Sequence, residues 1–298
     1  MAVESARNGP VDLAYETVGP PGGEPLLLIM GLDSPMRWWP DGFCAELADR
    51  GFTVARFDNR DTGRSTRTAG RPCSAAGRAG AGYSALDMIE DARAVLDALA
   101  WPDAHVVGQS MGASIAIGLG LHHPGRVRTV TTLSALPRGF RLAEVARYVD
   151  PVGLARMARV TARRPRTRQQ LLRQHVALAR MQAAGSQPFD ERWATETARQ
   201  VLADGPSDPA ASARQLAAIR TGSRLLRHPE RLGVPLLAIH GAEDPLVRPS
   251  AAAALARAVP GGRAIVFGDM GHEVPRRLWP ALADAISRNA SRARILAQ

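Results

Sequence analysis

Ala104-His105-Val106-Val107-Gly108-Gln109-Ser110-Met111-Gly112-Ala113-Ser114-Ile115-Ala116-Ile117-Gly118-Leu119 is the stretch that decides the fold. A short buried strand runs into Gly108-Gln109-Ser110-Met111-Gly112, which fits G-x-S-x-G, and an apolar helix follows. Strand, sharp turn and helix together make a nucleophile elbow, in which the serine stands at the top of a sheet with its hydroxyl exposed. The turn is too tight for side chains on either flank, which is why small residues bracket Ser110. The pentapeptide alone also fits a Gly/Ser turn without chemistry. The flanking strand and helix favour the elbow.

A serine nucleophile needs a base, and the chain has seven histidines. His272 lies in Asp269-Met270-Gly271-His272-Glu273-Val274-Pro275, directly after the strand Arg263–Phe267. A loop there sits at the C-terminal edge of a parallel sheet, the same edge as the elbow. His105 starts its strand, at the opposite edge. His122 and His123 end the helix after Ser110, and His175 and His228 lie within the stretch 137–231, where the β/α alternation is interrupted. His240 ends the strand Pro235–His240 and is the second choice. The base needs an acceptor on its other ring nitrogen. Gly241-Ala242-Glu243-Asp244-Pro245 supplies Asp244 as the first choice and Glu243 as the second. By itself, Asp244 before a proline also suits a turn. The oxyanion of a tetrahedral intermediate would be met by the backbone N–H groups of Met111 and Leu32.

Outward from the elbow, β and α signals alternate. Val11–Thr17 reads as an edge strand, and Pro25-Leu26-Leu27-Leu28-Ile29-Met30 as a strand buried on both faces. Trp38–Arg50 reads as a helix, Phe52–Phe57 as a strand, Leu86–Leu99 as a helix and Val127–Leu133 as a strand. The alternation stops at Pro137 and resumes after Arg231, with strands at Pro235–His240 and Arg263–Phe267 and helices at Ser250–Val259 and from Trp279. The expected architecture is α/β: a mostly parallel sheet flanked by helices, with residues 1–136 and 232–298 as the core and 137–231 as an inserted helical cap. Phe140, Met157, Met181, Phe189 and Trp193 from the cap, with Trp38 and Trp39 from the core, are candidates to line an apolar substrate pocket. Each also suits ordinary helix packing.

Composition narrows the function classes. All 38 basic residues are arginine, so no lysine amine is available for Schiff-base chemistry. Cys44 and Cys73 give neither a disulfide framework nor a zinc site, and Cys73 is expected to be a free thiol. No metal and no cofactor are called for. The N-terminus has no apolar signal core and no run reaches membrane-spanning length, so a soluble cytoplasmic protein without membrane contact is expected. The net charge of +10 falls wholly within 137–231, which holds 18 arginines against 8 acidic residues. A solvated arginine face explains it most simply. Steering of an anionic substrate or an acidic carrier protein is the other reading. No nucleic-acid motif accompanies the arginines.

The segments Leu28-Ile29-Met30-Gly31-Leu32, Trp39-Pro40-Asp41, Arg56-Phe57-Asp58-Asn59-Arg60-Asp61-Thr62-Gly63-Arg64-Ser65, His105–Ala113 and Gly268-Asp269-Met270-Gly271-His272 resemble the α/β-hydrolase superfamily. More narrowly they resemble the aclacinomycin methylesterase group of polyketide tailoring enzymes. The resemblance implies the α/β-hydrolase fold with an inserted cap, and a triad Ser110, Asp244, His272 in the chain order of that fold. It also implies hydrolysis of a carboxylic methyl ester on an aromatic polyketide or a similar hydrophobic small molecule. The competing readings are thioesterase, cyclase, lyase or perhydrolase chemistry on the same scaffold, or a non-catalytic small-molecule binding protein.

Overall fold

The computed structural model describes residues 2–68, 82–162, 164–205, 208 and 210–296. Cys73 lies outside them. Strands β1 (Glu4–Asn8), β2 (Val11–Val18), β3 (Glu24–Ile29), β4 (Phe52–Phe57), β5 (Ala104–Gln109), β6 (Val127–Leu133), β7 (Leu236–Gly241) and β8 (Arg263–Phe267) form one sheet in the order β1-β2-β4-β3-β5-β6-β7-β8. From β4 to β8 neighbouring strands are parallel, and β2 runs antiparallel to both β1 and β4. Val11–Val18 is therefore not an edge strand. The edge on that side is Glu4–Asn8, whose sequence ESARN carries little apolar pattern and is held by its ladder to β2.

Core strands bury both faces, and alternate residues enter different cores. Leu27, Ile29, Val106, Val130 and Ala238 pack under the helices α2 (Ala85–Ala98), α3 (Met111–His122) and α9 (Ser250–Ala258). Leu26, Leu28, Val107, Leu133, Leu237 and Ile239 pack under α1 (Asp41–Ala48) and α10 (Trp279–Leu296). Helix α3 is buried from Met111 to Gly120, so it is apolar all round and shows no helical stripe. The expected helix from Trp38 is broken. Met36–Trp38 is a single 3₁₀ turn, and α1 starts only after Pro40, whose fixed φ suits an extended residue before a helix.

Among the described residues five α-helices stand between β6 and β7: α4 (Leu142–Tyr148), α5 (Pro151–Thr161), α6 (Arg168–Gln182), α7 (Glu191–Asp204) and α8 (Ala211–Thr221). The only strand-like pairing they make with the sheet region is a bridge between Val149 and Val247, among the described residues. Among the described residues no helix is long and apolar enough to cross a membrane.

Candidate active site

The register aligns Ile29, Gly108, Thr132 and Ala238 in one row across β3, β5, β6 and β7. The loops leaving the sheet just beyond that row carry Leu32, Ser110 and Asp244, and the loop after β8 carries His272. One rim of the sheet thus gathers side chains that are far apart in the chain.

Ser110 has φ 51° and ψ −113°, a conformation that side-chain-bearing residues adopt only when the surroundings hold it. Its N–H is fixed by Leu133 O at 2.8 Å. The flanking glycines are required by contact, not by φ. A Cβ on Gly108 would overlap the carbonyl of Gly112, and one on Gly112 would overlap Ile29 O and stand 2.7 Å from Met30 O. A Cβ on Gly31 would lie 3.4 Å from Ser110 Cβ, so the loop bearing Leu32 runs directly beside the serine. Among the described residues the Ser110 hydroxyl makes no hydrogen bond within the protein.

His272 and Asp244 are both nearly inaccessible, and Asp244 Oδ2 lies 2.8 Å from His272 Nδ1. The second carboxylate oxygen, Oδ1, accepts from Leu246 N (2.8 Å) and Val247 N (2.9 Å). Burial alone would raise the Asp244 carboxyl, but the neighbouring His272 and His240 rings hold it far below the usual carboxylate range. Burial likewise pulls the His272 imidazole down. The adjacent Asp244 charge and hydrogen bond outweigh that and leave it above its ordinary value. Such a pair leaves Nε2 of His272 free to take and return a proton while Nδ1–H stays anchored.

The His272 backbone is held from two sides. Its N–H donates to Gln182 O at the end of α6 (2.7 Å), and its carbonyl accepts from the side-chain amide of Gln109, the residue before Ser110. Beside it Glu273 accepts from Ala184 N (3.2 Å), and Glu243 accepts from Ser186 N (2.8 Å). Glu243, the second choice for the acid, therefore binds the insertion, and Asp244 faces the imidazole. The loop bearing Leu32 is secured by Gln215 of α8, which is wholly buried. Its Oε1 accepts from Asp33 N (2.8 Å), and its Nε2 donates to Arg60 O (2.8 Å). Gln109, Gln182 and Gln215 were not singled out from the sequence. Gln109 is adjacent to the motif, whereas the other two are recognisable only in three dimensions.

The expected pocket residues divide. Trp39 is wholly buried, stacks on Phe43 and packs in the core beneath α1 and α10, so it presents no exposed surface to a ligand. Trp38 meets Trp193 of α7 edge to face at 5.8 Å, with the His175 ring 6.4 Å away. Phe189 lies under the Arg180 guanidinium at 4.8 Å. Phe140 packs between the main core and the small cluster of Leu136, Tyr148 and Val247. Met157 and Met181 are half-buried on α5 and α6. The arginine excess of 137–231 stands largely on exposed side chains, among them Arg141, Arg156, Arg159, Arg173 and Arg192. Arg214 is the contrast: it is buried and paired with Asp61 (2.7 Å) and with Asp208. Among the described residues no group of three or more His, Cys, Asp or Glu side chains is placed to hold a metal ion.

Residues 24–275 match the family described as alpha/beta hydrolase fold. The rhodomycin D methylesterase DauP of Streptomyces sp. (strain C5) is 34% identical over 304 residues, covering 93% of this chain and 94% of the relative. The rhodomycin D methylesterase DnrP of Streptomyces peucetius is 33% identical, covering 96% and 97%. Among solved structures, the esterase RhEst1 from Rhodococcus sp. ECU1013 superposes with a TM-score of 0.74 at 20% identity over 96% of this chain and 99% of that one, a likeness of fold. The chain belongs to the α/β-hydrolase fold family, among its ester-cleaving hydrolases.

Proposed function

We propose that the protein hydrolyses a carboxylic methyl ester on an aromatic polyketide, with Ser110 as nucleophile, His272 as general base and acid, and Asp244 as its orienting acceptor. Ser110 Oγ attacks the ester carbonyl as His272 Nε2 takes its proton. The N–H groups of Met111 and Leu32 receive the oxyanion. The tetrahedral intermediate collapses, and His272 returns the proton to the departing alkoxide, which leaves as methanol. Water then attacks the acyl-enzyme, giving its proton to His272, and the second collapse frees the acid and restores Ser110. No cofactor enters any step. Helices α4 to α8 act as the cap, and Trp38 and Trp193 form a wall for a flat apolar ring system.

The observation that carries this reading is the Asp244–His272 contact at the rim that also presents Ser110 on a strained elbow. The substrate class is supported by nearly full-length likeness to two rhodomycin D methylesterases. The test compares kcat/KM for methyl esters of aromatic polyketides with that for p-nitrophenyl acetate, with methanol and free acid as measured products. A higher value for the polyketide esters, abolished in a folded Ser110→Ala, is the expected result. Turnover retained by Ser110→Ala would overturn the nucleophile. A preference for the short acyl ester would overturn the substrate class.

A further inference from the structure

His240, near the end of β7, is wholly buried. Its Nε2 lies 2.9 Å from Val247 O and 3.2 Å from Asp244 Oδ2. Both neighbours are acceptors, so Nε2 must carry hydrogen. Nδ1 is buried and meets no partner among the described residues. The oxygen reached by His240 is the one that accepts from His272 Nδ1. With Leu246 N and Val247 N on the other oxygen and His272 Nδ1 on Oδ2, three hydrogen bonds hold the carboxylate, and the Nε2–H of His240, bonded to Val247 O, stands 3.2 Å from Oδ2 as a fourth, shared donor.

We infer that His240 is a positioning residue for the proton relay: its Nε2–H holds Asp244 Oδ2 toward His272 and moderates how strongly that oxygen retains the His272 proton. The inference rests on the triad reading above. A second donor on one carboxylate oxygen competes with the first for its electron density. Without it Oδ2 becomes a stronger acceptor, and the imidazolium of His272 is held more tightly. The backbone donors secure only Oδ1, so Oδ2 would also gain freedom to turn.

The groups that face His272 are few. Asp244 comes from the loop after β7, and Glu273 stands beside it in its own loop with Arg277 acting on Glu273. Neutral Gln109 faces it from the elbow, and backbone of Gln182 from the insertion. On His240 itself the facing titratable group is Asp244. None of the others touches Asp244 Oδ2, so removing the His240 donor acts on His272 through that oxygen.

The experiment measures kcat and kcat/KM against pH, between about pH 5 and 9, with p-nitrophenyl acetate. The proteins are wild type, His240→Leu and His240→Gln, the last keeping an N–H at the reach of Nε2. In His240→Leu the acid limb should move upward by about one pH unit and plateau kcat should fall about tenfold. His240→Gln should keep its limb within about 0.3 unit of wild type. An unmoved limb in folded His240→Leu, or an equal displacement in His240→Gln, would overturn the inference: a ring that only fills space would not shift a titration. If His240→Leu does not fold, the wild-type protein decides. Its ¹⁵N-edited NMR spectrum should show His240 as the Nε2–H tautomer at about pH 8, and the Nδ1–H tautomer there would overturn the inference. Failure of the triad reading has its own signature, activity in Ser110→Ala, which none of these outcomes produces.

Discussion

Replacing Asp244 by Asn tests the geometry of the proposed proton relay most directly. In the wild type Oδ1 takes two backbone N–H groups and Oδ2 takes His272 Nδ1 at 2.8 Å. An asparagine has one oxygen. If that oxygen keeps Leu246 N and Val247 N, its NH₂ group faces His272 Nδ1 and His240 Nε2, donor against donor. His272 relieves the conflict by moving its proton to Nε2, which then cannot accept the proton of Ser110. The alternative orientation leaves two buried backbone N–H groups unpaired, at about 1–3 kcal/mol each. The first arrangement is therefore favoured, and its kinetic cost is that of a wrong tautomer plus the loss of a carboxylate beside an imidazolium. That amounts to about 10⁴-fold in kcat, or about 5 kcal/mol of transition-state stabilisation. The assay is steady-state hydrolysis of p-nitrophenyl acetate, with the folded fraction fixed by circular dichroism. KM should change little. A loss below about tenfold, or one carried by KM alone, would refute the reasoning.

Three further outcomes follow from the same site. Because His272 is held above its ordinary value of 6.5 and, as the proposed general base, acts unprotonated, kcat/KM should fall as pH drops through a midpoint above 6.5; a midpoint below it would show that burial outweighs Asp244. Gly112→Ala places a methyl 2.7 Å from Met30 O. It should destabilise the fold by about 1–3 kcal/mol, lowering Tm by several degrees in a thermal melt. Gln109→Leu removes the side-chain donor to His272 O and should cost about 1–3 kcal/mol in denaturant unfolding, with reduced kcat at unchanged KM.

The sheet was legible because its parallel strands are continuous apolar runs. Leu26–Ile29 and Leu236–Ile239 contain no residue that has to face water. β1 was not legible, since Glu4–Asn8 joins the sheet through backbone hydrogen bonds that leave no side-chain signature. The break after Trp38 traces to Pro40, which separates the 3₁₀ turn from α1 and leaves Trp39 between them in the core. At the candidate site, strand-end positions identified Ser110, Asp244 and His272 as residues to place on one rim. The contacts that hold the rim together were hidden. Gln182 acts through its carbonyl, and Gln215 joins loops about 180 and 155 positions away, so no local pattern announces either. His240 stood out as a histidine at a strand end, but its contact with Asp244 depends on a turn that local propensity does not specify.

The bond from His272 N to Gln182 O ties the proposed proton carrier to main chain. A peptide carbonyl is present whatever side chain its residue bears. The side chain at position 182 can thus change, as long as the chain keeps its path. Grafting a helical segment from another hydrolase meets a stricter demand: the foreign loop has to deliver an oxygen to that same point, or the backbone of His272 loses one of its two moorings.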